Sequence, residues 1–176
     1  MCAPSSLIHS HLPSPAVIAT DIFDKDLSAL RKDRWAKAFA VAPTDRTTKD
    51  IHRMATIVIE HLIQASDVAH TMQHWHVYRK WNERLFHEMY TSYKNGRWDK
   101  DPSNGWYKGE LGFFDNYIIP LAKKLKECGV FGVSSDEYLN YALENRQEWE
   151  AKGESIVASL IEKHAGDGGE PIGLVL

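Results

Sequence analysis

Residues 59–90 read IEHLIQASDVAHTMQHWHVYRKWNERLFHEMY, and the two ends of this stretch obey one rule while its middle breaks it. On the N-terminal side Ile59, Leu62 and Ile63 continue a pattern begun by Ile51, Met54, Ile57 and Val58. Their helical spacing makes that segment apolar around much of its circumference, as in a helix central to its domain. On the C-terminal side Tyr78, Trp81, Leu85 and Met89 line one helical face, with Arg79, Lys80, Glu83, Arg84 and Glu88 mostly elsewhere. Between them lies the polar, histidine-rich segment ASDVAHTMQHWH, residues 65–76.

Working outward, Thr47 with Asp50 three residues on is a capping-box variant that places a carboxylate at the positive helix end. Ser14 with Pro15 marks an earlier helix start, followed by Val17, Ile18, Phe23, Leu27, Leu30 and Trp35. Downstream, Asn95-Gly96 should stop the Tyr78 helix, and the polar, turn-rich GRWDKDPSNGW, residues 96–106, reads as a surface loop. A fourth helix begins near Tyr107 or Lys108 and carries Leu111, Phe113, Phe114, Tyr117, Ile118, Leu121 and Leu125, with Pro120 expected to kink it. Gly129 and Gly132 end it, and Ser134 with Glu137 opens a last long helix through Tyr138, Tyr141, Leu143, Trp149, Ile156 and Leu160. No strand alternation competes over comparable length, so the expected class is all-α, a bundle of about five helices. Residues 1–14 read as an unstructured leader, 15–165 as the helical domain and 166–176 as an irregular tail.

The 176 residues suit one ordinary domain, and 43% hydrophobic content suffices for a core. A formal charge of −3 favours small molecules or proteins over nucleic acid or an anionic membrane as partners. Two widely separated cysteines, without CxxC spacing, fit a reducing, cytoplasmic setting. The start, MCAPSSLIHSHLPSPAVIA, lacks the cationic and uninterrupted apolar regions of a signal peptide, no later run is long enough to span a bilayer, and Cys2 after the initiator Met excludes N-myristoylation.

The densest functional groups are Asp67, His70, His74 and His76. On a continuous helix His70 and His74 would share a face and Asp67 would pair with His70, which permits metal binding. The same residues also read as exposed or capping histidines in a break between helices. There is no HExxH, no histidine directly followed by Asp, no GxSxG, no Walker loop and no GxGxxG, so no residue is assigned as catalytic. Glu110 stands one turn before Phe113 and Phe114: either a carboxylate beside an aromatic surface, or a solvated first-turn Glu worth about 0.3–1 kcal/mol against the helix dipole.

Three segments, residues 17–30 (VIATDIFDKDLSAL), 59–90 and 108–125 (KGELGFFDNYIIPLAKKL), occur in an order that resembles the C-terminal half of the catalytic domain of class I 3′,5′-cyclic nucleotide phosphodiesterases. The segment from Lys126 to Glu154 is similar to the tails of protist members. The resemblance implies part of an all-α, HD-type domain that hydrolyses cAMP or cGMP to the 5′-monophosphate with two divalent metals, zinc and magnesium or manganese. It makes Asp67 the metal ligand. Tyr78 and Trp81 become pocket-shaping residues, Leu85 and Phe86 apolar pocket positions, and Phe113 the aromatic that stacks on the purine. Without it, these side chains read as helix-packing core.

Two departures stand beside the resemblance. Glu110 occupies a position where the family has Gln; an ionised carboxylate only accepts hydrogen bonds, so purine preference does not carry over. His70 likewise replaces an Asn usual in many members. The family's two histidines and His-Asp dyad have no counterpart, since His9 and His11 fall in the unrelated leader. The metal-ligand set is therefore incomplete, and the expectation is a truncated catalytic domain inactive by itself. The alternative is a non-catalytic helical module that pairs with another chain or with itself through exposed apolar helix faces.

Overall fold

A computed structural model of the chain describes residues 25–129 and 131–166. The expected leader, the Ser14 cap with Val17, Ile18 and Phe23, and nearly all of the expected tail lie outside the described residues. Helices α1 (Lys25–Phe39), α2 (Thr48–Asp67), α3 (Trp75–Lys94), α4 (Trp106–Phe113), α5 (Ile119–Cys128) and α6 (Ser135–Gly166) carry the fold, with short 3-10 turns at Pro43–Asp45, Ala69–Met72 and Gly132–Ser134. A π turn, Phe114–Ile118, joins α4 to α5 without interruption. Counted as continuous rods there are five among the described residues, with no strand, as the periodicity predicts. The chain divides between Asp67 and Val68 into two compact units.

In the first unit α1 packs on α2. Thr47 caps α2 as expected: its N–H donates to Asp50 Oδ2 at 3.0 Å and Asp50 N–H donates to Thr47 Oγ1 at 3.3 Å. The packing includes a charged pair, Arg34 Nη2 to Glu60 Oε1 at 2.7 Å, and Trp35 against the His61 ring at 4.6 Å between centroids. His61 Nδ1 lies 2.8 Å from the Ile57 carbonyl, which can only accept, so that nitrogen carries the proton.

The second unit is organised by α6, which packs against α3, α4 and α5. Trp149 is fully buried, and its indole N–H donates to the Tyr107 carbonyl at 3.1 Å, so the aromatic body fills the core while its one polar atom is satisfied. Tyr107 returns the bond through its hydroxyl to the Glu150 carbonyl, and Arg146 grips Asp115 through two nitrogens at 2.9 and 3.2 Å. Gly153 lets these rings approach: a Cβ there would lie 2.7 Å from Tyr107 and 2.9 Å from Trp149.

The expected punctuation appears where left-handed backbone is needed. Gly96, at φ +69°, closes α3 after the Asn95 cap, and Gly105, at φ +103°, turns the chain into α4. Pro120 is accommodated by a change of helical pitch. Ile119 N–H reaches back five residues to the Phe114 carbonyl, and this wider turn accommodates Pro120, which has no N–H to donate, at the junction with α5.

The segment 65–76 is not one helix. α2 ends at Asp67, a 3-10 turn holds His70, and His74 caps α3. The shared i, i+4 face for His70 and His74 is thereby corrected: the break puts them in different elements. Asn145 of α6 fixes the turn, its Nδ2 donating to the carbonyls of Thr71 at 3.0 Å and Gln73 at 2.7 Å.

Candidate functional site

Tyr78 and Asn82 lie one turn apart on α3 and are buried together. The Tyr78 hydroxyl donates to Glu110 Oε2 at 2.7 Å, across 32 residues of sequence. Asn82 Nδ2 approaches the same hydroxyl at 3.5 Å, and Asn82 Oδ1 accepts from the Trp106 indole N–H at 3.2 Å. These four side chains make one polar thread binding α3 to α4. Aromatic rings seal it: Tyr78 meets Phe114 edge-on at 5.2 Å and Trp149 at 6.0 Å, while Phe86 meets Trp106 edge-on at 5.2 Å.

Burial shapes the acid–base character of the thread. Removal from water pushes the Glu110 carboxyl above its ordinary 4.5, only partly opposed by hydrogen bonds from Tyr78 and Asn82. Burial, reinforced by the neighbouring carboxyl, pushes the Tyr78 phenol well above its usual range, so it stays a donor. Glu110 is the fifth residue of α4 and half-buried; it is not a solvated first-turn Glu. Phe113, three residues on, shares its helical face and stacks nearly parallel on Tyr117, at 5.4 Å and 12°. An acceptor and an aromatic wall therefore stand side by side on α4.

The other residues singled out from sequence fall in different surroundings. His70, half-buried, lies with its ring 6.0 Å from that of Trp81, and burial lowers its pKa. Trp81 is 49% and Leu85 44% exposed, with the Arg84 guanidinium 5.2 Å from the Trp81 ring centre. Phe86 has no exposed surface; it packs among Tyr90, Trp106 and His164 and supports the thread from behind. Asp67, the last residue of α2, is exposed. Among the described residues no three His, Cys, Asp or Glu side chains converge as metal ligands do, so the residues described do not form a two-metal site.

Asn82 and Trp106 were not foreseen. A signal for Asn82 existed: it is a polar residue one turn beyond Tyr78, on the face that the apolar pattern assigns to packing. Trp106 gave none, because the loop ahead of α4 hid its position.

An all-helical domain with a half-buried carboxyl acceptor beside an aromatic wall is the class of protein these features define. Residues 11–131 match the 3′5′-cyclic nucleotide phosphodiesterase family, an all-helical, HD-type fold, and the chain belongs to that family. Neither the curated proteins nor the solved structures yield a significant match. No helix among the described residues is long and apolar enough to cross a membrane.

The half-buried Glu110 carboxyl generates a prediction with a definite sign. A carboxyl whose folded pKa lies above its ordinary 4.5 contributes its full stability below that value, and the contribution is lost as pH rises through the folded pKa. Glu110→Gln keeps an acceptor for Tyr78 and cannot ionise. Urea unfolding across pH should find the variant more stable than wild type at about pH 8, with the gap closing toward about pH 4; a gap independent of pH would contradict the assignment.

Proposed function

We propose that this chain carries the base-binding side of a cyclic nucleotide phosphodiesterase catalytic domain spanning residues 15–165. Glu110 meets the edge of the purine and Phe113 stacks on its face. The observation that carries this reading is the Tyr78–Glu110 hydrogen bond, which fixes a carboxylate oxygen one helical turn from Phe113. The family match spans the break between the two compact units, which supports assigning both to one domain.

The residues divide the work. Tyr78 uses its proton on Oε2 of Glu110, leaving Oε1 to accept from a purine N–H, the adenine amino group or guanine N1. Phe113 supplies stacking of about 1–3 kcal/mol per base. Tyr78 and Asn82 keep the carboxyl from rotating away, and Phe86 holds Trp106 against Asn82. We assign Trp81 and Leu85 to the apolar rim and His70, beside Trp81, to donation to a phosphate or a water.

Family members use divalent metals to activate water and neutralise phosphoryl charge. Asp67 is the one residue we assign to that task, as a ligand for zinc or for magnesium or manganese. One carboxylate does not define a two-metal geometry, so no hydrolytic step is assigned to these residues. The proposed activity, hydrolysis of cAMP or cGMP to the 5′-monophosphate in cyclic nucleotide signalling, then depends on histidine and aspartate ligands supplied by further polypeptide.

A second reading rests on Trp81 and Leu85, large apolar side chains one turn apart on α3 and both exposed. As a surface for another chain or a second copy, they would make the protein an interaction module. Sedimentation velocity across concentration should then show association that Trp81→Ser with Leu85→Ser abolishes; a monomer throughout refutes self-association.

Equilibrium dialysis of the 176-residue chain with cAMP and cGMP tests the first reading. Binding of at least one nucleotide is expected, weakened by about tenfold in Phe113→Ala, with no turnover in zinc and magnesium. Absence of binding would remove the base-side assignment, and robust metal-dependent turnover would remove the claim that ligands are lacking.

A further inference from the structure

A half-open cavity of about 430 Å³ lies between the start of α3 (His74, Trp75) and the middle of α6 (Glu144, Asn145, Glu148, Lys152), beside the Glu110 thread, with the Trp75 ring 5.5 Å from that of Tyr78. Its size falls within the roughly 300–1,000 Å³ of small-molecule and side-chain sites. Three features of its wall agree in sign. The ammonium of Lys152 sits 5.9 Å from the Trp75 ring centre and pairs with Glu148, so an internal cation already uses this aromatic surface. Glu144 brings a second carboxylate, exposed and without an ion pair among the described residues. Asn145, 1% exposed, spends its amide nitrogen on the carbonyls of Thr71 and Gln73. Its planar amide turns Oδ1 away from those bonds, and Oδ1 has no donor among the described residues.

An aromatic face, an uncompensated carboxylate and an unpartnered buried acceptor together call for a flat cation rich in N–H donors. We propose that this cavity receives the guanidinium group of an arginine, with the plane stacked on Trp75 and its N–H groups directed to Glu144 and to the Glu148 carboxylate that Lys152 gives up, while the buried Asn145 Oδ1 adds negative potential behind them. Guanidinium suits the site better than ammonium because it is planar, weakly hydrated and carries donors in a fixed fork. Lys152 is then the internal competitor that the incoming arginine displaces from Trp75. The proposal does not rest on the phosphodiesterase reading, since it assigns no purine or metal role to any of these residues.

Isothermal titration at pH 7.5 with N-acetyl-arginine amide, methylguanidinium, an arginine-containing tetrapeptide and N-acetyl-citrulline amide tests it. The arginine probe should saturate one site, and the neutral citrulline probe should bind at least about tenfold more weakly. Lys152→Met should tighten arginine binding and Glu144→Gln should weaken it, each by about threefold or more. Glu144 and Lys152 are both exposed, so neither variant removes a buried contact. Equal affinity for methylguanidinium and the tetrapeptide marks a free small cation as the occupant; tighter peptide binding marks a segment of another protein. No saturable arginine binding, equal citrulline binding, or weaker binding in Lys152→Met would overturn the proposal.

Discussion

The hydrogen bond from Tyr78 to Glu110 is the constraint on which the candidate site depends. It spans α3 and α4, lies against Trp149 of α6, and holds a carboxyl in surroundings that disfavour its charge. A buried acceptor of this kind is costly when unpaired and stabilising when satisfied, so the thread through Asn82 and Trp106 stabilises the site only as a complete set. Phe86 and Phe114 contribute by excluding water from it.

Much of the architecture was legible because local chemistry governs helix ends. Thr47 and Asp50 form the reciprocal bonds that their spacing predicts, and Gly96 adopts the left-handed conformation that ends α3. Two features were less visible for the same physical reason, namely that tertiary bonds override local pattern. The histidine-rich segment could have continued as a helix, but Asn145, more than 70 residues away, donates to the carbonyls of Thr71 and Gln73 and stabilises the break. Pro120 suggested a kink, while the chain absorbs its missing donor in a π turn. The environment of Glu110 was unreadable from its own neighbours, because the group that satisfies it lies 32 residues earlier.

Membership of the phosphodiesterase family and the local chemistry of the chain point to different halves of one task. In the proposed reading the base side consists of the Glu110 polar thread, the Phe113 aromatic wall and the Trp81–Leu85 rim. In the proposed reading Asp67 is the one residue assigned to metal, and no ligand cluster converges among the described residues. The cavity at Trp75 and Asn145 adds a region whose charge and hydrogen-bonding demand are opposite to those of a site for a phosphate. One face of α3 therefore serves both chemistries: Tyr78 and Asn82 join the carboxyl thread, and Trp75, whose ring lies 5.5 Å from that of Tyr78, helps to wall the cation-seeking cavity.

The most direct measurement is a double-mutant cycle on unfolding free energy, using Tyr78→Phe, Glu110→Ala and the pair. If the Tyr78–Glu110 bond organises α3 against α4, the two sites should be coupled by about 1.5–3 kcal/mol, the range for hydrogen bonds to charged groups. Additive effects, with coupling near zero, would contradict the account.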